Sequence, residues 1–484
     1  MVQVELKEGH MKRTDLIQWG RLAARVTGTY ISERYRSSPI IVPAEKPCFS
    51  ASGAAPVAHV ESGFAQSVPD LAVYPRHRLD VSIRDLVFGL SACIWASRRR
   101  RLAAKVARVF PPGENALVCL SVRSGFDLLL GALAEPPGDE VLVSAVTHPD
   151  MVRIIEEHGL RAIPVDLDGA TLGPHVELLE SALSPRTRVV LVAHLFGGRF
   201  DLGPVAAFAR RHGLLLVEDC AQAFGGTQDP GDTAADVSMF SFGPIKTASA
   251  VGGAVLRVRD AGLLRKMRHA QDRWPVQRRL HYAARLLKAL CLVLFGRPLA
   301  YGILVGLCDL CGWDLDELLN GAVRTFPASG TADGGLFKKI RRQPSAPLLA
   351  LLARRLRAFD ASRLARRAAI GERMVRRLPS TVRHPGQLAD SRTHWLFPVE
   401  ASDAEGLVAA LRERGFDASR VTSSIAPVPA PADLSSCEPE RANRMMARLV
   451  FLPVYPELSE EALDRLVRAI EEITADGRDP EEHA

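Results

Sequence analysis

Two carboxylates and one lysine stand where a fold could use them. Glu218 and Asp219 close the apolar run Leu214–Val217, and Lys246 follows a second apolar run, Val237–Phe242, after a Gly243-Pro244 stop. Short runs this apolar read as strands of a parallel sheet covered on both faces. In open α/β sheets, ligands gather beyond the C-terminal ends of the strands, so an acid there is placed at a site. A lysine just past a neighbouring strand is partly desolvated and can act as an amine nucleophile.

Lys246 comes 27 positions after Asp219. An acid that keeps a pyridine nitrogen protonated, with a lysine that forms a Schiff base, is what pyridoxal 5'-phosphate requires. The segment Glu218-Asp219-Cys220-Ala221-Gln222-Ala223 resembles the E-D-x-A-Q-A motif of the DegT/StrS-type sugar aminotransferases, which are fold-type-I pyridoxal-phosphate enzymes. Ser241-Phe-Gly-Pro-Ile-Lys246 resembles their S-F-x-x-x-K motif, and Gly252-Gly253 the glycine pair that follows. His194-Leu-Phe-Gly197 and Phe451-Leu-Pro-Val-Tyr-Pro456 resemble two further family segments. The resemblance runs from about residue 110 to 472 with an interruption.

That resemblance implies a role for each matched residue. Lys246 is the Schiff-base lysine, and Asp219 pairs with the pyridinium. Gln222 reaches the ring 3-hydroxyl, and His148 stands where the family stacks an aromatic on the ring. Ser241 and the backbone of Gly125, Phe126 and Asp127 bind the phosphate, since Ser124-Gly125 matches the family's S-G-T-A-A-L turn with Phe126 and Asp127 replacing Thr and Ala. The implied reaction moves an amino group from glutamate or glutamine to a keto-sugar carried on a nucleotide, in a homodimer with sites between subunits. A lipid-linked acceptor at the membrane surface and a non-catalytic regulatory homologue are the alternatives. Relatives that dehydrate sugars replace the lysine, and Lys246 argues against that chemistry. Asn320 and Arg324 stand near the family's G-x-N-x-R segment, with the asparagine out of register by two.

Around these residues strands alternate with helices. Strands are expected at Ala116–Leu120, Val141–Ala145, Arg161–Asp166 and Val189–Leu195, with helices at Val176–Leu183, Gly203–His212 and Ala261–Gln271. Such alternation gives βαβ units and a mostly parallel sheet. A glycine turn at Gly125 opens a helix, whose free N–H groups and dipole suit a phosphate. The fold class is therefore α/β: a fold-type-I aminotransferase-like large domain plus a smaller C-terminal α+β domain. The smaller one takes a strand at Trp395–Val399, a helix at Ala404–Arg414 and a strand at Leu449–Leu452. The expected organisation is a mobile arm (1–75), a large cofactor-binding domain (76–273), an apolar helical insertion (274–318), a connecting helical region (319–378) and a small domain (379–484).

Composition adds bounds. The 484 residues carry a net charge of +7 and eight cysteines. Cysteines this sparse do not form a disulfide framework and suit a reducing compartment. The N-terminus lacks the apolar core of a signal peptide, so a cytoplasmic protein is expected. Helix Val81–Ala96 is followed by Arg98–Arg101, and positive charge suits a helix C-terminus. Within the insertion, Tyr282–Phe295 and Leu299–Cys308 are apolar and divided by Gly296-Arg-Pro298. They read either as a hairpin forming a lid or dimer element, or as an interfacial element over 282–312 contacting the inner membrane face. Leu348–Leu378 reads as one long helix with a solvated arginine face. It lacks stacking aromatics, so no nucleic-acid partner is expected. Cys308-Asp-Leu-Cys311 has no second pair, and no metal site is expected.

Overall fold

The computed structural model describes residues 72–110, 115–323, 335–420 and 424–476. Residues 1–71 of the expected arm, and Arg324, lie outside them.

The centre is a seven-stranded sheet. Its strands are β1 (Ala116–Cys119), β2 (Glu140–Ser144), β3 (Arg161–Val165), β4 (Thr187–Ala193), β5 (Leu215–Asp219), β6 (Val237–Ser241) and β7 (Ala254–Val258). The order is β1-β7-β6-β5-β4-β2-β3, parallel throughout except that β7 runs antiparallel to both neighbours. Six of the seven strands, all but β5, bury every residue or all but one, as expected for a sheet with helices on both faces. Strand β5 runs to Asp219, so both carboxylates lie on the strand itself, not past its end.

Helices α1 (Ile83–Trp95) and α2 (Arg99–Ala107) precede the sheet. Then α3 (Val122–Leu133), α4 (Pro149–Glu157), α5 (Val176–Ala182), α6 (Gly203–Arg211) and α7 (Ala261–Asp272) alternate with strands. The insertion holds α8 (Arg279–Phe295), α9 (Pro298–Cys311) and α10 (Leu315–Val323), and α11 (Gly335–Ile340) leads back to α12 (Ala346–Arg357) and α13 (Ala361–Arg377). The C-terminal part pairs β8 (Phe397–Glu400) with β9 (Leu449–Leu452), covered by α14 (Ala404–Glu413), α15 (Glu440–Arg448) and α16 (Glu460–Asp476). It has a hydrophobic core of its own, built on Phe397, Val399, Leu411, Leu466 and Ile470.

Three helical expectations change. The arginines after α1 do not cap it: Arg98 is the N-cap of α2, and Arg99–Arg101 fill its first turn. Cations there oppose the dipole by about 0.3–1 kcal/mol each at most. Val106 and Ala107, buried against Phe110 and β1, outweigh that. The long arginine helix is two helices, broken at Ala358–Asp360, where Asp360 caps α13 by accepting from the Arg363 N–H. Its arginines are also not simply solvated. Arg355 bonds Asp80 and Asp85, and buried Arg367 donates to the Thr393 carbonyl and Thr247 Oγ1. In the insertion, α8 and α9 meet at a corner bent by 104°, not as a hairpin.

Candidate active site

Strand alternation separates the two carboxylates. Glu218 turns into the core, where its Oε1 lies 3.0 Å from His194 Nε2 and its Oε2 accepts from the Asp232 N–H. Although burial opposes the charge, these bonds hold its carboxyl at about 2. Asp219 faces the other way and accepts from the Ala221 N–H at 2.9 Å. Burial is the largest influence on it and raises its pKa, while Lys246 pulls the other way. His194, structural in the sequence reading, packs on Phe200 and orients Glu218.

Lys246 lies in the turn after β6, its Nζ 3.8 Å from the centre of the Trp395 ring. Burial lowers its pKa to about 7; Asp219 raises it and Arg123 lowers it further. A lysine so placed is largely unprotonated just above neutrality, the state a nucleophilic amine needs. Its loop is strained and firmly held. Ala248 and Val251 have φ of 54° and 57°, left-handed values costly for non-glycine residues. Asp80 accepts from the Ala248 N–H at 2.7 Å, and Tyr282 Oη donates to the Ala250 carbonyl at 2.8 Å. Arg285 donates to the Val251 carbonyl. Both Tyr282 and Arg285 belong to α8, so the insertion is part of the frame of the site.

The helix start that the sequence reading assigned to a phosphate lies nearly one turn earlier than expected. Helix α3 starts at Val122 with Ser121 as N-cap, whose hydroxyl accepts from the Ser124 N–H. The Gly125 N–H is already bonded to the Ser121 carbonyl, and Phe126 and Asp127 lie inside the helix. Uncommitted N–H groups at a helix start belong to the first residues, here Val122 and Arg123. Gly125 is small for packing: a Cβ there would come 2.3 Å from Leu256 Cδ1. Phe126 is core, and Asp127 bonds His158 and Arg341 away from the helix end. The backbone of Gly125, Phe126 and Asp127 is therefore not the phosphate cradle. Arg123, which pairs with Asp150 at 2.5 Å, brings a cation to the same helix end.

Gln222 Oε1 accepts from the Phe196 N–H at 2.9 Å. His148 caps α4, its Nδ1 accepting from the Asp150 N–H. Ser241 closes β6, partly exposed. Sequence reasoning missed Trp395 as a site residue, because it read as the first residue of a strand. It precedes β8, and its Nε1 donates to the Ile245 carbonyl at 2.8 Å beside the lysine. The chain around Trp395 crosses Gly197 (φ 94°), where a Cβ would sit 2.4 Å from the Trp395 nitrogen. That crossing is stitched by pairing of Ser391 and Arg392 with Arg199 and Gly198, and by bonds from the Thr393 and Leu396 N–H groups to the Gly197 and Phe196 carbonyls.

The DegT/DnrJ/EryC1/StrS aminotransferase family matches residues 97–279 and 348–471. The chain belongs to that family. The unmatched stretch between the two segments holds α8 to α11. The GDP-perosamine synthase of Caulobacter vibrioides is 31% identical over 196 residues, which is 40% of this chain and 53% of that one. A UDP-N-acetyl-3-dehydro-alpha-D-glucosamine 3-aminotransferase of Acidithiobacillus ferrooxidans is 34% identical over 179 residues, 36% of this chain and 48% of that protein. The chain thus spans about half the length of the curated relatives it matches. Among solved structures, the aminotransferase TlmJ of Streptoalloteichus hindustanus aligns with a TM-score of 0.61 at 20% identity, over 84% of this chain and 99% of that one. NtdA of Bacillus subtilis, solved with bound cofactor PMP, aligns at a TM-score of 0.57 and 16% identity over 81% and 82%. These structures share the fold, a fold-type-I α/β architecture.

Proposed function

We propose that the chain is a pyridoxal-phosphate-dependent sugar aminotransferase, moving an amino group from an amino acid, glutamate or glutamine, to a keto-sugar carried on a nucleotide. One observation carries this: a lysine with its pKa lowered to about 7 and a buried, pKa-raised aspartate act on each other at adjacent strand ends. The names of the curated relatives support the substrate class, and the PMP held by NtdA supports the cofactor.

The donor set suits this cofactor. Asp219 would supply an anion for a ring N–H, and Gln222, its Oε1 held by the Phe196 N–H, would offer its amide to a ring hydroxyl. Val122, Arg123 and Ser241 offer donors to a phosphate, and the His148 imidazole would take the place that the resemblance gives a stacked aromatic. When bound, the cofactor supplies an electron sink for a carbanion at the amino carbon. Asp219 maintains the positive charge that makes the sink effective. Lys246 would hold the group through its amine and, when that amine is free, would move a proton at Nζ. Trp395 shields Lys246 Nζ from water on one side. A homodimer belongs to this reading through the family resemblance. So does the division into a large domain, 76–273, and a small one, 379–484, which their separate hydrophobic cores support.

The test is the visible absorption of the protein with added pyridoxal phosphate, beside Lys246→Ala. A Schiff-base band in the wild type only, trapped by borohydride and shifted by glutamate, is the expected result. A protein without that band, or one whose Lys246→Ala variant keeps it, refutes the reading.

A further inference from the structure

Helix α8 is apolar on both sides. Tyr282, Leu286 and Ala289 are buried inward, while Leu280, Leu287 and Leu294, seven residues apart, face outward. A helix apolar all round is ordinarily covered on every side. The same holds for α1, with Leu86, Gly89 and Ala92 inside and Ile83, Val87 and Ile94 outside, and for α9, with Leu299, Ile303 and Leu310 outside. Eleven of the fourteen exposed large apolar side chains among the described residues lie on these three helices. Scattered exposed leucines need no account, but a contiguous patch does.

Between α1 and α8 the patch is continuous. Arg279, at the start of α8, donates to the Cys93 and Ile94 carbonyls at the end of α1. A Cβ on Gly89 would touch Leu286 at 3.0 Å. The two helices therefore run antiparallel, with Ile94 level with Leu280 and Val87 level with Leu287. Ile94 and Leu280 are 85% and 82% exposed. The rim is basic. Exposed Arg278, Arg279, Lys288 and Arg297 border the patch, with one exposed acid, Asp309, near the end of α9, and Arg98, Arg100 and Arg101 are exposed just beyond α1. No single helix among the described residues is long and apolar enough to cross a membrane.

We propose that the outer face of α1 and α8 lies on an anionic lipid surface, apolar side chains among the acyl chains and arginines among the headgroups. A second copy of the chain fits less well. A two-fold contact sets a patch against itself, so that basic rim would meet basic rim. Anionic headgroups complement both the apolar strip and the rim. This inference goes beyond the aminotransferase reading and does not depend on it.

The test is flotation of the full-length protein with vesicles of phosphatidylcholine alone and of an equal mixture with phosphatidylglycerol, beside Leu287→Glu and Leu280→Glu. Deleting the insertion would be a poor probe, because Tyr282 and Arg285 hold the Lys246 loop. Both leucines point outward, so circular dichroism and borohydride trapping at Lys246 report fold and site separately from lipid binding. The expected result is flotation with the anionic mixture only, weakened by added salt, and partition at least about tenfold lower in each variant. Wild-type protein left at the bottom of every gradient overturns the proposal, as does equal flotation of the variants. So does a change of oligomeric state in Leu287→Glu without flotation of the wild type, which would give the face to a second copy.

Discussion

Gly125→Ala distinguishes a glycine that binds phosphate from one that makes room for a neighbour. The added Cβ would lie 2.3 and 2.7 Å from the two Leu256 methyls and 3.1 Å from Leu256 Cγ. Leu256 is fully buried between α3 and the sheet, so it has little room to move. Overpacking of this kind costs about 1–3 kcal/mol, and a clash this short belongs at the upper end. Alanine in a helix interior recovers about 1 kcal/mol over glycine. The expected net loss is about 2 kcal/mol, read as a lower urea midpoint. Cofactor affinity, titrated by absorbance on the folded protein, should stay within about twofold, since the Gly125 N–H is spent inside the helix. Adding Leu256→Ala should cost less in the variant than in the wild type, because contacting residues couple by 0.5–3 kcal/mol. Unchanged stability with a large loss of cofactor affinity would refute this reasoning and return Gly125 to the phosphate.

Four further outcomes follow from the same geometry. Asp219→Asn removes the charge that holds the Lys246 pKa up at about 7; it should fall further, as read from the pH dependence of borohydride-trapped pyridoxal phosphate, and a rise would contradict the assignment. Arg123→Met removes a cation that pushes the same pKa down, so that profile should move to higher pH. Glu218, lowered from 4.5 to about 2, stabilises the fold by roughly 3 kcal/mol. As a depressed acid it gives this in full above pH 4.5 and loses it as pH falls through 2, so Glu218→Gln should flatten the acid limb of urea midpoint against pH. Arg76→Met leaves Asp417, 1% exposed, without the guanidinium that bonds it at 2.7 and 2.8 Å; a loss of about 3–5 kcal/mol is expected in urea unfolding, and a neutral result would mean Tyr301 and Arg412 suffice.

The sheet was legible because its strands are buried on both faces and so read as plain apolar runs. Asp219 and Lys246 were legible because strand ends carry ligands in this architecture. The phosphate turn was misplaced because Ser124-Gly125 has the composition of a turn. The start of α3 is set instead by the Ser121 hydroxyl bonding the Ser124 N–H, a Ser-x-x-Ser cap readable in the sequence. Asp360 is a similar cap signal inside what read as one helix. Trp395 was not legible as a site residue, since its place depends on a crossing with Gly197 nearly two hundred positions away. Nor was the inward face of α8, because an apolar helix does not state which loop it will hold.

The crossing at Gly197 bears on how the chain can move. The ladder from Ser391 to Leu396 joins the C-terminal part to the sheet within a few residues of Lys246, and Trp395 adds a bond to the Ile245 carbonyl. Swinging the C-terminal part away as a rigid body would have to break that ladder beside Lys246. Any widening beside Lys246 therefore falls to rotamer changes and the surrounding loops, and on the proposed function an acceptor would meet a largely preset wall.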